Sequence, residues 1–293
     1  MDYFELIPTE LNEIIISYSL FTDLKIFSET FSISRLNWGT IHQYYFGEYK
    51  NILINEYLGR LGAEILIEKL HLDYTIVELF NVKVLSLRTN KLTRVPPEIG
   101  TLTNLQVLNL RYNKLIQVPP EIGNLTNLQD LDLSSNKLTQ VPPEIGTLTN
   151  LRELHLNNNQ LALVPPEIGN LKNLRELDLT NNKLTQVPKE IGMLKNLRGL
   201  FLGNNQLTQV PKEIGNLINL EVLFLYINRL IQVPPEIGNL KKLEVLNLSD
   251  NQLERLPIEI GRLNNLQELN LNGNRLIQVP PEIRAIPGIE IYE

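Results

Sequence analysis

Nine asparagines recur at every 23rd position, and no insertion or deletion interrupts the series. The first and the last of them are separated by eight such periods. A fixed period of roughly 20 to 50 residues indicates stacked structural repeats, in which each unit contacts mainly its neighbours. The nine positions are Asn90, Asn113, Asn136, Asn159, Asn182, Asn205, Asn228, Asn251 and Asn274. This single register constrains the fold of most of the chain.

Each unit carries the residues of one short strand and one turn. In the second unit, Leu105, Leu108 and Leu110 are the apolar residues, and the residues between them alternate outward as in a β-strand. The prolines that follow predict a short helical turn that opens at Pro120 and ends at Gly123. One unit cannot bury its own leucines, so neighbouring units must stack and share a continuous core.

These leucines, together with the Pro-Pro-Glu-Ile-Gly segment at 119–123, resemble the leucine-rich repeat family. The units are similar to its 23-residue type, which occurs in bacterial proteins and in Ras-associated and plant intracellular scaffolds. The resemblance covers about residues 72–291 and implies an α/β solenoid. The expected shape is a curved horseshoe with a parallel sheet on the concave side and polyproline, short helical or irregular segments on the convex side. It also implies that the nine asparagines form a structural ladder, in which each amide bonds the backbone of adjacent turns.

The segment 1–71 reads as a different module, an aromatic-rich all-α domain that precedes the solenoid at 72–293. Of the 19 aromatic residues in the chain, 14 lie before position 81, and the apolar residues there have helical spacing. In one interpretation this module is a cap that covers the open edge of the first strand. The degenerate unit that joins it to the array keeps the repeat register but lacks the prolines.

A second interpretation comes from the segment 6–38, which resembles the F-box. The F-box is a three-helix module that docks on an adaptor of cullin-type ubiquitin ligases, and leucine-rich repeats that select the substrate often follow it. Thr30, Phe31 and Trp38 depart from the family's pattern. The resemblance implies adaptor contacts at Pro8, Leu11, Ile14, Ile15 and Leu24. The cap and the F-box are not mutually exclusive.

Side chains that point outward from stacked strands form columns on the concave face, and we expect the fold to require no particular residue there. Two clusters stand out in these columns. The first is apolar and aromatic, lies over units six to eight, leaves room at Gly199 and Gly203, and is expected to bind a protein partner. Its members are Phe201, Phe224, Tyr226, Val222, Val245 and Ile227.

The second cluster is acidic and surrounds a histidine in units three to five. Its members are Asp130, Asp132, Glu153, Glu176 and Asp178, with His155 between them. Strands about 4.8 Å apart would set Asp132, His155 and Asp178 in a row. Such a row could recognise a basic partner, respond to pH, hold a divalent metal or be a solvated acidic stripe. A third group, a basic edge, consists of Lys83, Arg88, Arg111 and Tyr112.

Composition excludes several classes of function. With 27 basic and 33 acidic residues, the net charge of −6 argues against a nucleic-acid binder. The chain has no cysteine, which excludes disulfides, thiolate metal sites and a cysteine nucleophile. Neither an export signal nor an apolar run of roughly 18 residues is evident, so we expect a cytoplasmic protein without a membrane span.

The expected function is therefore binding of a protein partner on the concave face, without catalysis and without a cofactor or metal. Ser134 and Ser135 lie near His155, but an open wet surface offers no oxyanion donors and no pocket that excludes water. The alternative is a substrate receptor of a cullin ubiquitin ligase, in which the first helices hold the adaptor and the repeats select the substrate.

Overall fold

The computed structural model describes residues 59–293. Residues 1–58 lie outside the described residues, and so do the F-box-like segment 6–38 and its adaptor contacts Pro8, Leu11, Ile14, Ile15 and Leu24. The boundary between 71 and 72 stays a prediction. Residues 61–293 form one compact unit, and the description below concerns that unit.

Ten short strands form one open parallel sheet, in which every strand pairs with the next strand along the chain. The strands are β1 Val84–Ser86, β2 Val107–Asn109, β3 Asp130–Asp132, β4 Glu153–His155, β5 Glu176–Asp178, β6 Gly199–Phe201, β7 Val222–Phe224, β8 Val245–Asn247, β9 Glu268–Asn270 and β10 Glu290–Tyr292. The solenoid with a parallel sheet that the repeat predicted is confirmed.

Short 3₁₀ turns return the chain from each strand to the next. They span Pro97–Thr101, Pro120–Asn124, Pro143–Thr147, Pro166–Asn170, Lys189–Met193, Lys212–Asn216, Pro235–Asn239 and Ile258–Arg262. Three helical segments complete the described residues: α1 over 59–70, α2 at Ile76–Phe80 and α3 at Pro281–Arg284. In most units a proline occupies the first helical position, where a backbone N–H would have no partner in any case.

The core runs through the stacked units as one continuous cluster of leucines, isoleucines and valines. In β4 the central Leu154 is fully buried, while Glu153 and His155 lie on the opposite, solvent-facing side of the sheet. Complete burial of a leucine side chain contributes about 2 kcal/mol, but one strand places only its central residue inside. The stability of each unit therefore depends on the units beside it.

A ladder of asparagine side chains ties consecutive units together along one edge of this core. Asn182 is representative: its Nδ2 donates to the carbonyl oxygens of Leu156 and Leu179 at 3.0 Å, and its Oδ1 accepts from the backbone N–H of Leu161 at 3.0 Å. Each asparagine side chain thus bonds backbone groups of its own unit and of the preceding unit. Eight asparagines make this set of bonds: Asn113, Asn136, Asn159, Asn182, Asn205, Asn228, Asn251 and Asn274.

Asn90, the first of the nine predicted positions, does not join the ladder. It is exposed, and the bonds that it would make to an earlier unit have no counterpart in the described residues. The segment before it is α2, which has a capping box at Thr75 and Glu78 and no strand of its own. The 23-residue register therefore begins one asparagine earlier than the hydrogen-bonded ladder.

The recurring glycines are required by close packing between units, and the prediction that they end the turns is wrong. At Gly123 an added Cβ would lie within 3.0 Å of the backbone oxygen of Glu144 in the next unit. Its turn continues to Asn124, and Gly123 has no positive φ. The same contact recurs in eight consecutive units. Arg284 replaces the glycine in the last unit, where no described unit follows that a side chain could meet.

At the first edge of the array, α1 buries Ala63 and Leu66 in the same core. The ammonium of Lys69 donates to the carboxylate of Glu98 at 2.7 Å, so α1 is also joined to the first 3₁₀ turn. At the other edge, the last strand, β10, begins with Glu290. Glu293, directly after this strand, forms an ion pair with Arg284. Charged residues on an edge strand discourage further strand pairing.

Replacement of Asn182 by alanine should strongly destabilise the protein. The change leaves buried backbone groups of Leu156, Leu179 and Leu161 without their partner, at about 1–3 kcal/mol for each unpaired group. We expect a loss of about 3 kcal/mol or more in urea denaturation, from the same unpaired groups. Asn90→Ala is the matched control and should change stability by less than about 0.5 kcal/mol, as is usual for surface substitutions. Equal effects of the two variants would contradict the ladder.

Candidate functional site

The solvent-facing side of the sheet carries two columns of side chains, one residue per strand in each. We call the first residues of the strands the leading column and the third residues the trailing column. Backbone pairing sets Asp132, His155, Asp178, Phe201 and Phe224 side by side in the trailing column. The predicted columns therefore exist as continuous surfaces.

The trailing column has a structural role, contrary to the expectation that the fold places no demand on it. In five strands an asparagine or aspartate oxygen accepts the backbone N–H two residues later, at 2.9–3.1 Å. These residues are Asn109, Asp132, Asp178, Asn247 and Asn270. Short polar side chains form such Asx turns readily where a strand ends.

His155, Phe201 and Phe224 interrupt this pattern, since none of them has a side-chain oxygen to make the bond. Each such bond contributes about 0.5–1.5 kcal/mol net. These three residues are among those that the sequence singled out for binding, and they are positions where the column departs from its prevailing pattern, whereas Asp132 and Asp178 keep the Asx bond.

Three aromatic rings gather at strands β6 and β7 and the turn that follows β7, and we call Phe201, Phe224 and Tyr226 the aromatic cluster. The rings of Phe201 and Phe224 pack edge to face with centroids 5.2 Å apart. Those of Phe224 and Tyr226 have a centroid distance of 6.0 Å. Edge-to-face pairs of this kind contribute about 0.5–1.5 kcal/mol beyond burial. The rings are half-buried and retain solvent-accessible surface.

Two glycines make room for these rings. A Cβ added at Gly203 would lie 2.4 Å from the Tyr226 ring, and one added at Gly199 would lie 2.9 Å from the Phe201 ring. Neither glycine has a positive φ, so close approach of the rings accounts for both. The glycines and aromatics therefore form one matched arrangement.

The aromatic cluster is bordered by three aliphatic residues, Val222, Val245 and Ile227. Val222 and Val245 are paired neighbours in the leading column and are half-buried. Ile227 is 47% exposed and has φ of 50°, a left-handed conformation that is a genuine outlier for a β-branched residue. Other units place residues such as Asn181, Asp250 and Gly273 at this position, and these tolerate the conformation better.

Asp132, His155 and Asp178 form the predicted row, and further acidic residues surround the histidine. The imidazole lies 3.7 Å from the carboxylate of Glu153 and 3.9 Å from that of Glu176. Asp132 and Asp178 flank the histidine as predicted, and each also accepts a backbone N–H from its own turn. The aspartates are held by local Asx geometry, whereas the longer glutamates of the leading column reach the ring.

We call Asp130, Glu153, Glu176 and His155 the acidic cluster. Partial burial and the carboxylate of Glu153 raise the pKa of Asp130, and burial with the carboxylates of Glu153, Asp178 and Asp130 raises the pKa of Glu176. In both cases His155 acts in the opposite direction. Candidate ligand atoms of Asp130, Glu153 and His155 lie within 4.8 Å of one another. This crowding of negative charge favours a cationic group on the surface.

The predicted basic edge also assembles in part. The guanidinium groups of Arg88 and Arg111 lie 5.1 Å and 4.6 Å from the centre of the Tyr112 ring, Arg88 from the preceding unit and Arg111 from the same unit. The Arg111 Nη2 also donates to the Tyr112 hydroxyl at 3.1 Å. Lys83 is exposed. Ser134 is almost fully buried, and its hydroxyl donates to Asp132 at 2.6 Å, so it is not presented as a nucleophile.

Family models match most of the residues that form the solenoid. A family model described as a leucine-rich repeat region matches residues 63–164, 108–202, 143–229 and 166–252, and a model for two leucine-rich repeat copies matches residues 241–281. The chain belongs to the leucine-rich repeat family. Leucine-rich repeats generally mediate protein–protein interaction, and the family is typically non-catalytic.

Two solved leucine-rich repeat structures are similar to this chain. A leucine-rich repeat protein of Leptospira interrogans is 44% identical with a TM-score of 0.71, over 75% of this chain and 56% of that chain. The ectodomain of a plant membrane receptor kinase from Arabidopsis thaliana, in complex with Casparian strip integrity factor 2, is 36% identical with a TM-score of 0.63. That match covers 68% of this chain and 25% of the other. The chain thus spans less than two thirds of either neighbour, and no curated protein matches it.

A second asparagine ladder in these leucine-rich repeats was missed by sequence reasoning. In each case Nδ2 donates to the backbone oxygen of the residue 24 positions earlier, as Asn173 does to Thr149 at 2.8 Å. Its members are Asn104, Asn127, Asn150, Asn173, Asn196, Asn219 and Asn265. These asparagines follow the same repeat period, so the periodic signal was present in the sequence. Lys242 occupies the missing position and donates to Asn219 at 2.8 Å.

Within residues 59–293 of this leucine-rich repeat chain, no helix has the length and apolar character needed to cross a membrane.

Replacement of Ile227 by asparagine should stabilise the protein. Asparagine tolerates the left-handed backbone, so the change removes strain of about 1–2 kcal/mol and exposes less apolar surface. We expect a higher midpoint in thermal and urea denaturation. Ile218→Asn is the matched control, because Ile218 is also exposed but has no positive φ, and its stability should stay nearly unchanged. A destabilised Ile227→Asn variant would show that the isoleucine is held there by packing.

Proposed function

We propose that the leucine-rich repeats of this protein bind a protein partner on the concave face of the sheet, with the aromatic cluster as the anchor. Phe201, Phe224 and Tyr226 supply the central apolar contact, and Val222, Val245 and Ile227 border it. Aromatic residues at the centre of an interface commonly carry most of its binding energy. The acidic cluster and the neighbouring Asp132 and Asp178 provide a polar, negatively charged flank.

One observation supports this proposal above the others: the aromatic cluster and the adjoining Ile227 combine several departures from the pattern of the other units. Phe201 and Phe224 give up the Asx bond that Asn247 makes in the next strand. Ile227 keeps a left-handed backbone. Residues that break a local structural preference in this way often mark functional positions. The alternative is that the aromatic rings simply pack on one another, which their edge-to-face contacts would allow.

The Arabidopsis neighbour supports the broader class of function. Its leucine-rich repeat ectodomain is described in complex with Casparian strip integrity factor 2, so this fold accepts a bound factor in that protein. The surface proposed for the present chain does not depend on where that factor binds the Arabidopsis ectodomain. The proposed surface here depends on the described residues alone.

Replacement of Phe224 by asparagine should separate binding from stability. The change loses two edge-to-face contacts of about 0.5–1.5 kcal/mol each and restores an Asx bond of about 0.5–1.5 kcal/mol, so the urea midpoint should fall only slightly. Loss of a central aromatic anchor should weaken binding at least about tenfold. The measurement is quantitative affinity capture from cells of the source organism, with the wild-type chain and the variant as paired baits.

Ile218→Asn is the matched bait, because it removes an exposed aliphatic side chain from a different surface. Proteins retained by the wild type and by Ile218→Asn but lost with Phe224→Asn would be the expected partners. If Phe224→Asn retains the same proteins in the same amounts, or if it unfolds at much lower urea, the aromatic cluster has only a packing role.

A further inference from the structure

A polar groove of about 600 Å³ runs across the entrances to strands β2–β6, apart from the aromatic and acidic clusters. One row of its lining comes from the residues that precede these strands: Gln106, Gln129, Arg152, Arg175 and Arg198. A second row consists of five asparagines of the second ladder, from Asn127 to Asn219. We call Arg152, Arg175 and Arg198 the arginine row.

The arginine row is a set of like charges on neighbouring strands. The backbone N–H of Arg175 donates to the oxygen of Arg152 at 2.7 Å, and that of Arg198 donates to the oxygen of Arg175 at 2.8 Å. The three residues therefore lie directly side by side, about 4.8 Å apart from strand to strand. All three are exposed. Like charges directly opposite one another destabilise a sheet.

The surrounding carboxylates relieve only one end of this row. Arg198 lies 3.6 Å from Glu221. Glu153 and Glu176 follow Arg152 and Arg175 in sequence, but their carboxylates turn to His155 at 3.7 Å and 3.9 Å. In the part of the chain that the structure describes, Arg152 and Arg175 have no ion pair.

The fold does not require arginine at these positions. Corresponding residues in other units are glutamine or glutamate, as at Gln129, Glu221 and Glu244. A glutamine at this place makes the same backbone bonds: the N–H of Gln129 donates to the oxygen of Gln106 at 2.7 Å. The three arginines are thus a local departure, and an anion in the groove would relieve their mutual repulsion.

The asparagine row favours a peptide as the source of that anion. Each of these amides uses one N–H on a backbone oxygen, as Asn150 does with Thr126 at 2.8 Å. Its second N–H and, in most units, its oxygen stay available, and these are the groups that bond a peptide backbone. The lining contains no aromatic ring on which a nucleic-acid base could stack.

We propose that this groove binds an extended acidic peptide segment of a protein partner. Carboxylates of the segment pair with Arg152 and Arg175, and its backbone bonds to the asparagine amides. The five lining units span four strand spacings, about 19 Å, which corresponds to about six extended residues. This site goes beyond the proposed function, because it lies on a different surface and selects the opposite charge from the acidic cluster.

The test is fluorescence anisotropy of a labelled hexaglutamate peptide with the full chain, compared with a hexaglutamine peptide of equal length. Hexaglutamate should bind more tightly, and its affinity should fall as salt is added. The double variant Arg152→Gln with Arg175→Gln should weaken binding by about tenfold, since both charge-assisted contacts are lost. Both substitutions introduce the residue found at Gln129, which protects folding.

Two controls make the result decisive. The double variant Arg255→Gln with Arg275→Gln removes the same charge from exposed positions outside the groove and should retain affinity within about twofold. Phe224→Asn should bind hexaglutamate normally, which keeps this test separate from that of the concave face. The proposal is overturned by equal binding of the two peptides, by an equal loss in the control double variant, by loss with Phe224→Asn, or by tighter binding of a single-stranded DNA oligonucleotide.

Discussion

The asparagine ladder is the interaction on which the rest of this structure depends. Each side chain bonds a carbonyl 26 residues earlier, a carbonyl three residues earlier and an N–H 21 residues earlier, as Asn182 does with Leu156, Leu179 and Leu161. These separations hold only if every unit has the same length. A single inserted residue would leave buried backbone groups unpaired, which explains why the repeat period is kept without interruption.

Because the unit length is fixed, the units vary mainly in the side chains that point away from the core. Among these, the residues that break a structural preference indicate where a partner could bind. Phe201 and Phe224 lack the Asx bond of their column, and Ile227 occupies a backbone conformation suited to asparagine or glycine. Arg152 and Arg175 sit side by side without an opposing charge. The backbone strain at Ile227 and the repulsion between the arginines lower the stability of the free chain, and we propose that all of these departures serve the binding of a partner.

Much of the fold could be predicted from the sequence, because its dominant signal is periodic. The core leucines, the parallel register and the two outward columns all follow from one interval and from the alternation of side chains along a strand. The aromatic residues were also identified in advance, since large apolar side chains are unusual in a solvent-facing column. The structure confirms the room left at Gly199 and Gly203, and it adds the edge-to-face contacts, while binding by these residues stays a prediction.

The remaining features depend on contacts between units, which spacing alone does not reveal. Asn90 keeps the register, but it lacks a preceding strand and is exposed. Gly123 looks like a turn ending, yet it is needed because the backbone of Glu144 lies against it. Asp132, His155 and Asp178 form the expected row, but the carboxylates near the imidazole are those of Glu153 and Glu176, because the aspartates bond their own turns. Side-chain length and local hydrogen bonding decided these cases.

Backbone amide hydrogen exchange on the full chain tests the ladder most directly. The N–H groups of Leu115, Leu138, Leu161, Leu184 and Leu207 each donate to a ladder asparagine. They should exchange as slowly as the N–H groups of the strands, with similar protection in every central unit. Rapid exchange of these leucines while the strands stay protected would contradict the ladder and the fixed unit length derived from it.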